Sequence, residues 1–213
     1  MQQNANRKID RETFIDRSDA QIIMGTDHGR LVSLWKYKRA EGPPLNLRHD
    51  LLAQLDNITK YLHRRMYESA SGHKVQDVRR PIRHPIHKWM RADVDGRVRD
   101  TGAIFFTQFL PAGNFSETDL ATAQMAQLQH LMWVTAARWA LFSIITGDGK
   151  WFSMTVAADP LYQHLLLTAE KKFLRCVRTG EPPPIFGIET PTAKLLDESD
   201  RHLHVQQRAA SVP

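Results

Sequence analysis

The stretch that decides the fold is DVDGRVRDTGAIFFTQF, residues 93–109. Its two ends favour strands, and the Asp95-Gly96 pair is typical of a tight turn between paired strands. We therefore predict a hairpin with Asp95 at its turn. Because side chains alternate between the faces of a strand, Phe106 and Gln108 are expected on the same face of the second strand.

A hairpin of this shape is the frame of a metal site in nucleases of the restriction-endonuclease type. Such a site needs a carboxylate near the turn, and an acidic residue and a lysine two positions apart on the next strand. Carboxylates hold Mg²⁺, and the metal activates water and neutralises charge on the phosphate. Here Phe106 and Gln108 stand at the two strand positions, and neither a phenyl ring nor a neutral amide replaces an acid or an ammonium.

The composition fits one domain with a partner of opposite charge. The chain has 213 residues, 42% of them apolar, which is enough for a substantial core. Lys and Arg outnumber Asp and Glu by 29 to 23, giving a net charge of +6. This charge favours nucleic acid or another polyanion as partner, with an ordinary basic protein as the alternative. The single cysteine, Cys176, excludes an internal disulfide and suits a reducing compartment.

The first residues lack the apolar centre of a signal peptide, and no apolar run reaches the length of a membrane span. We therefore expect a soluble, cytoplasmic protein. The distribution of apolar residues predicts a flexible segment at 1–17, a single domain at 18–180 and a mobile, Pro-containing tail at 181–213.

Helical periodicity and breakers predict an alternation of helices and strands. Helices are predicted over 18–25, 29–40, 47–70, 117–137 and 160–178; two or three strands lie between 75 and 110, and a hairpin occupies 139–157. Ser18 is the predicted cap of the first helix. This order indicates an α/β fold with a central mixed sheet flanked by helices on both sides.

Two helices have apolar stripes that should face the sheet. The stripe of the long early helix consists of Leu51, Leu55, Ile58, Leu62 and Met66. The stripe of the 117–137 helix consists of Met125, Leu128, Met132 and Thr135, and it leaves Gln127 on a flank.

Two longer stretches carry a family resemblance. QMAQLQHLMWVTAARWALFSIITGDGKWF (124–152) and DPLYQHLLLTAEKKFLRCVRTGEPPP (159–184) resemble the YqaJ viral recombinase family. That family lies in the lambda-exonuclease-like branch of the PD-(D/E)XK nucleases. The resemblance spans roughly residues 14–186. It implies a restriction-endonuclease-like core and a bacterial or phage-infected host.

The resemblance also implies a set of catalytic positions. Active members carry an acidic residue on the early helix, the Asp of the hairpin, a Glu-x-Lys pair and Gln residues on the following helix. In this sequence Asp95, Gln127 and Gln129 match that pattern. The early-helix acid is replaced by Lys60, and the Glu-x-Lys pair by Phe106 and Gln108. The resemblance therefore predicts a recombination-nuclease homologue with impaired catalysis and a remaining DNA-binding role.

Two alternatives remain open on the sequence. One is an active Mg²⁺-dependent DNA exonuclease in which Asp93, two residues from Asp95, supplies a second metal-binding carboxylate. The other is a non-enzymatic subunit of a recombination complex, paired with a single-strand annealing protein, an active paralogue or further copies of itself. Mg²⁺ is expected only in the active case.

Basic residues supply the candidate DNA contacts. They are Arg64, Arg65, Arg79 and Arg80, with a further basic stretch at 170–178 that is either a phosphate contact or an ordinary solvated face. His84 and His87 are spaced as a metal pair could be, but Pro85 between them and the lack of further ligands favour a surface loop.

Overall fold

The computed structural model describes residues 14–42, 51–76, 81–186 and 195. The candidate DNA contacts Arg79 and Arg80 lie outside these ranges, as do most of the predicted terminal segments 1–17 and 181–213. In the described ranges, no helix has both the length and the apolar character needed to cross a membrane.

Caps and breakers fix the ends of the helices. Asp16 accepts hydrogen bonds from the N–H groups of Ser18 and Asp19, so the first helix is capped by Asp16 and not by the predicted Ser18. Asp159 caps the last helix, with Pro160 in its first turn and Gly180 in the left-handed conformation at its end. The described helices are α1 (Arg17–Met24), α2 (His28–Lys38), α3 (Leu51–Ser71), α4 (Glu117–Ala123), α5 (Met125–Thr135) and α6 (Pro160–Thr179).

The strands form a mixed sheet of five and a small sheet of two. The five-stranded sheet has the order β1-β4-β5-β6-β7, with β5 and β6 parallel and the other neighbours antiparallel. The strands are β1 (Val75–Gln76), β2 (Ile82–Arg83), β3 (Arg91–Ala92), β4 (Gly96–Val98), β5 (Ile104–Leu110), β6 (Trp139–Thr146) and β7 (Trp151–Ala157), with β2 and β3 forming the small sheet.

Helices cover both faces of the larger sheet, which confirms the predicted α/β class. Helix α3 packs on one face, against β5 and β6, while α5 packs on the other and is covered in turn by α1 and α6. The main core lies on the α5 side, where Leu128, Phe142 and Phe173 are fully buried.

The predicted turn at Asp95-Gly96 is wrong. The hairpin joins β4 to β5, and its turn lies at 99–103, where Gly102 has a φ of +70° and its N–H donates to Val98 O at 2.8 Å. Gly102 adopts this left-handed conformation without strain, so the Asp-Thr-Gly sequence supplies the turn. Asp95 instead lies just before β4, where the two strands part.

The predicted inward stripe of the long helix is also wrong. Ile58 is 73% exposed, and most of the other members of the stripe are exposed as well. The buried positions of α3 are His63 and Tyr67, with Asp56 and Lys60 half-buried beside them. The inner face of α3 therefore carries polar side chains in place of the apolar stripe.

The helix predicted over 117–137 is divided into α4 and α5 at Gln124, whose φ of −100° and ψ of 4° are not helical. The stripe of its second half is confirmed for Met125, Leu128 and Met132, which are buried, whereas Thr135 is half-buried.

Candidate functional site

The candidate site lies where β4 and β5 part. The strands pair at Gly96 and Phe105, and beyond this point β4 no longer reaches β5. Beyond it, the N–H groups of β5 on that edge donate to two carboxylates instead of to β4. Thr107 N donates to Asp95 Oδ2 at 3.1 Å, and Phe109 N donates to Asp56 Oδ1 at 2.8 Å. Two acidic side chains are therefore held at the open edge of β5.

Two cations approach Asp95 from opposite faces of the sheet. Lys60 Nζ, on α3, lies 2.8 Å from Asp95 Oδ1, and Arg17 Nη1, at the start of α1, lies 3.2 Å from Asp95 Oδ2. The Asp95 side chain is 4% exposed, against 37% for Lys60 and 21% for Arg17. The Arg17 guanidinium also lies over the Phe106 ring, 5.0 Å from its centroid.

These contacts keep Asp95 ionised. Burial raises the pKa of Asp95, but the charges of Arg17 and Lys60 and the hydrogen bonds from Lys60 and Thr107 outweigh it and leave the pKa below its ordinary value. Thr107 Oγ1 donates a further hydrogen bond to Oδ2 at 3.2 Å. The Asp95 carboxylate thus interacts with four donor groups on three residues, namely Lys60, Arg17 and Thr107.

Helix α3 contributes one side chain per turn to this side of the sheet. Asp56, Lys60 and His63 are spaced by four and three residues, so they share one face of the helix. Burial, followed by the charge of Asp95, raises the pKa of Asp56, whereas the Phe109 N–H and the cations oppose this rise. Asp56 is a site residue that sequence reasoning missed, although its position one turn before Lys60 was a usable signal.

His63 is the most deeply buried titratable group of this helix face. Its Nδ1 lies 2.9 Å from Ser143 Oγ, which also accepts a hydrogen bond from Trp151 Nε1 at 3.0 Å. Its Nε2 has no hydrogen-bond partner among the described residues. Burial lowers the pKa of His63 to about 4, so the imidazole is neutral at pH 7.

The buried imidazole makes folding sensitive to acid. Between pH 6.5 and pH 4 the unfolded chain binds a proton at His63 that the folded chain does not bind, so stability falls as the pH falls. We expect His63 to account for about 3 kcal/mol of lost unfolding free energy on going from pH 7 to pH 4. Denaturant titrations of wild type and His63→Gln across this range measure the loss, which should be smaller in the variant. His73→Gln, at a histidine whose side chain is 45% exposed, serves as the matched control. An identical pH dependence in all three proteins contradicts the expectation.

Phe106 and Gln108, at the two β5 positions where the resemblance implies an acid and a lysine, supply neither charge. Phe106 is buried against Phe142, with ring centroids 5.1 Å apart. Gln108 is half-buried, and its Oε1 has no hydrogen-bond partner among the described residues.

The other predicted catalytic and metal-binding residues form their hydrogen bonds and ion pairs with residues other than Asp95. Asp93 is 53% exposed and pairs with Arg91 at 3.2 Å. Gln127 donates to Gln21 at 2.7 Å and to Gln124 at 2.8 Å.

Gln129 is fully buried at the junction of β7 and α6. It donates to Ala157 O at 2.8 Å and accepts from Asp159 N at 2.9 Å and from Gln163 Nε2 at 3.1 Å. These bonds join α5 to the start of α6, which is a structural role.

The predicted DNA contacts within the described ranges lie on α3. Arg65 is exposed, and Arg64 is half-buried one turn after Lys60. Both follow Lys60 along the same helix.

The donor set does not fit a metal ion. Mg²⁺ needs several oxygen ligands, and both oxygens of Asp95 already accept from Lys60 or from Arg17 and Thr107. No group of three or more His, Cys, Asp or Glu residues is arranged as metal ligands in the part of the chain that the structure describes. An ammonium and a guanidinium thus occupy the space beside the carboxylate that a divalent cation would require.

Comparisons with known proteins agree with the fold. No family model matches the chain. It is 25% identical over 213 residues to the uncharacterized protein YqaJ of Bacillus subtilis strain 168, covering 95% of this chain and 66% of YqaJ. The chain therefore spans slightly less than two thirds of the length of this curated relative.

Solved exonucleases have the same fold. The alkaline exonuclease of Laribacter hongkongensis superposes with a TM-score of 0.63 at 18% identity, covering 80% of this chain and 91% of that one. The phage-related exonuclease from Haemophilus somnus 129PT gives a TM-score of 0.56 at 10% identity, with 79% and 93% of the two chains covered. These comparisons confirm the resemblance that the sequence predicted.

Proposed function

We propose that this chain, a relative of YqaJ with the fold of phage-type exonucleases, is a phage or prophage recombination-nuclease homologue with impaired catalysis and a retained DNA-binding role. The observation that carries this proposal is the contact of Lys60 Nζ with Asp95 Oδ1 at 2.8 Å. A lysine stands where active members of the resembled family have an acid. It neutralises the carboxylate on which a metal-dependent reaction would depend.

Charge balance supports the loss of metal chemistry. Asp56 and Asp95 contribute two negative charges, and Lys60 and Arg17 contribute two positive ones, so the site has no net charge to attract a divalent cation. A metal ion would have to displace both cations from a carboxylate that is 4% exposed. Without the metal, the described site lacks the cation that would lower the pKa of the attacking water.

DNA binding is supported by different residues. The net charge of +6 and the exposed basic residues of α3 are suited to a phosphate backbone. The cations beside Asp95 retain unused donors, since Lys60 has three N–H groups and Arg17 has five.

A working Mg²⁺-dependent exonuclease is the second candidate, and Asp56 is the observation that favours it. Its carboxylate lies at the same open strand edge as Asp95, and the Asp95 charge contributes to raising its pKa. Two carboxylates at one edge form the start of a metal site, if Lys60 and Arg17 move away.

Digestion of end-labelled linear duplex DNA separates the two candidates. We expect purified wild type to release no label with Mg²⁺ or Mn²⁺ above the level of Asp95→Ala, because the carboxylate is already neutralised. Metal-dependent digestion by wild type that is lost in Asp95→Ala would establish the active enzyme instead.

Metal binding provides the matched measurement. Replacing both cations, as in Arg17→Gly with Lys60→Glu, is expected to raise Mn²⁺ affinity at least about tenfold over wild type, because three carboxylates then face one another without a counterion. Equal Mn²⁺ affinity in the two proteins would show that the cations do not exclude the metal.

A further inference from the structure

The exposed side of the C-terminal half of α6 carries four basic side chains. Lys171, Lys172, Arg175 and Arg178 are all exposed. Residues 171, 175 and 178 are spaced by four and three, so they lie along one face of the helix, and Lys172 lies beside them. Among the described residues, none of the four forms an ion pair within 4.0 Å.

Glu170, the one acidic residue within α6, does not lie on this surface. Glu170 is fully buried, and its Oε1 lies 2.8 Å from Nδ1 of the equally buried His130. The exposed side of α6 therefore has four positive charges and no negative one until Glu181, which follows the end of the helix.

Helix α2 is a neighbour of α6. It packs against the C-terminal half of α6, where Trp35 Nε1 donates to Cys176 O at 3.0 Å and Arg39 Nη1 donates to Val177 O at 2.8 Å.

This surface is separate from the candidate site. Helix α6 packs on α1, α2 and α5. Among the described residues, the groups that contact Asp95 are Arg17, Lys60 and Thr107, and none of them lies on α6.

We propose that the exposed face of α6, formed by Lys171, Lys172, Arg175 and Arg178, is a second contact surface for duplex DNA. This rests on the proposed DNA-binding role and adds a place of contact that the site does not supply. From Lys171 to Arg178 the helix rises by about 10 Å. One strand of duplex presents about three phosphates over that length, so successive cations can each meet a phosphate.

The chemistry of the face favours a nucleic acid over a membrane. A helix that lies on a lipid surface presents an apolar face to it. The apolar side of α6, including Leu166 and Phe173, is buried in the protein core. The basic face of α6 would therefore contact the phosphate backbone through charge. Such contacts do not distinguish one base sequence from another.

The test measures duplex affinity of the full chain as a function of salt. The variant is Lys171→Gln with Arg175→Gln. The matched control is Lys74→Gln with Lys150→Gln, which loses the same two charges from exposed cations already paired with Glu68 and Asp148. Glutamine keeps helix propensity at both α6 positions.

We expect the α6 variant to bind duplex about tenfold more weakly than wild type at 50 mM salt, and its slope of log affinity against log salt to be lower by about 2. The control should stay within about twofold of wild type. Binding by wild type that is equally strong in the α6 variant and the control would overturn this surface and leave DNA binding elsewhere in place. Absence of wild-type binding at 50 mM salt would overturn the DNA-binding role itself, and binding to phosphatidylserine vesicles but not to duplex would assign the surface to lipid.

Discussion

The Asp95→Asn variant is expected to unfold with about 2 to 3 kcal/mol less free energy than wild type. The substitution preserves the shape of the side chain and an oxygen that can accept from Thr107 N, but it removes the charge that balances Lys60 and Arg17. Breaking a fully buried ion pair costs about 3 to 5 kcal/mol. The expected value is lower because both cations are partly exposed to water.

The sign of this change distinguishes the two candidate functions. In a metal site without its metal, neighbouring carboxylates repel one another, so replacing one of them by an amide stabilises the fold. A more stable Asp95→Asn would therefore contradict the internal ion pairs. Denaturant unfolding of the metal-free proteins at pH 7 measures the difference.

Asp93→Asn provides the matched control. Asp93 is 53% exposed and pairs with Arg91 at 3.2 Å, so its loss should change stability by less than about 0.5 kcal/mol. A loss at Asp93 as large as that at Asp95 would show that both carboxylates belong to one buried cluster.

The stabilisation by Asp95 also has a defined pH dependence. The pKa of Asp95 is lowered in the folded state, so its contribution is complete above the unfolded-state value of about 3.9 and is lost as the pH falls through the folded-state value. Wild type and Asp95→Asn should therefore converge in stability as the pH falls through the folded-state pKa of Asp95.

The sequence predicted the fold class because several local signals agree. Asp159-Pro160 at the start of α6 and Gly180 after it mark both ends of that helix. The alternation of helices and strands then leaves few arrangements other than a covered mixed sheet. The turn at 99–103 was missed because two turn signals that begin with Asp, at Asp95 and Asp100, lie close together in the sequence, and the first was preferred.

Part of the site could also be predicted, through the family resemblance. It identified Asp95 and the replacement at Lys60, and the structure brings these two together. It did not predict Arg17 or Asp56 as their neighbours, because contacts between α1, α3 and the strand edge join residues up to 78 positions apart. Gln127 and Gln129 were placed correctly on α5, but the sequence did not show that their amides bond away from Asp95.

Periodicity succeeded for α5 and failed for α3 for one physical reason. An apolar stripe predicts the buried face of a helix when the surface it covers is apolar, as it is for α5 on the sheet. Helix α3 covers an open strand edge whose N–H groups and carboxylate need polar partners. Its Asp56 and Lys60 are therefore turned inward, and Ile58 is left 73% exposed.

Leu128→Asp tests this contrast and is expected to leave no soluble folded protein. Leu128 is fully buried within the main core, so the substitution removes its apolar contacts and places a carboxylate among apolar side chains. A buried, unpaired charge costs several kcal/mol, and the lost packing adds about 2 to 5 more, which together approach or exceed the stability of a typical domain.

Ile58→Asp is the matched substitution on α3 and should change the unfolding free energy by less than about 1 kcal/mol. The same type of side chain is replaced by the same carboxylate in a helix, but at a position that is 73% exposed. Soluble yield and thermal unfolding of the two variants, together with the milder Leu128→Ala, measure the difference. A folded Leu128→Asp with an unchanged melting temperature would show that α5 does not pack on the sheet. A collapse of Ile58→Asp would show that the outer face of α3 is buried, and that the polar groups beside Asp95 are not held by the inner face of this helix.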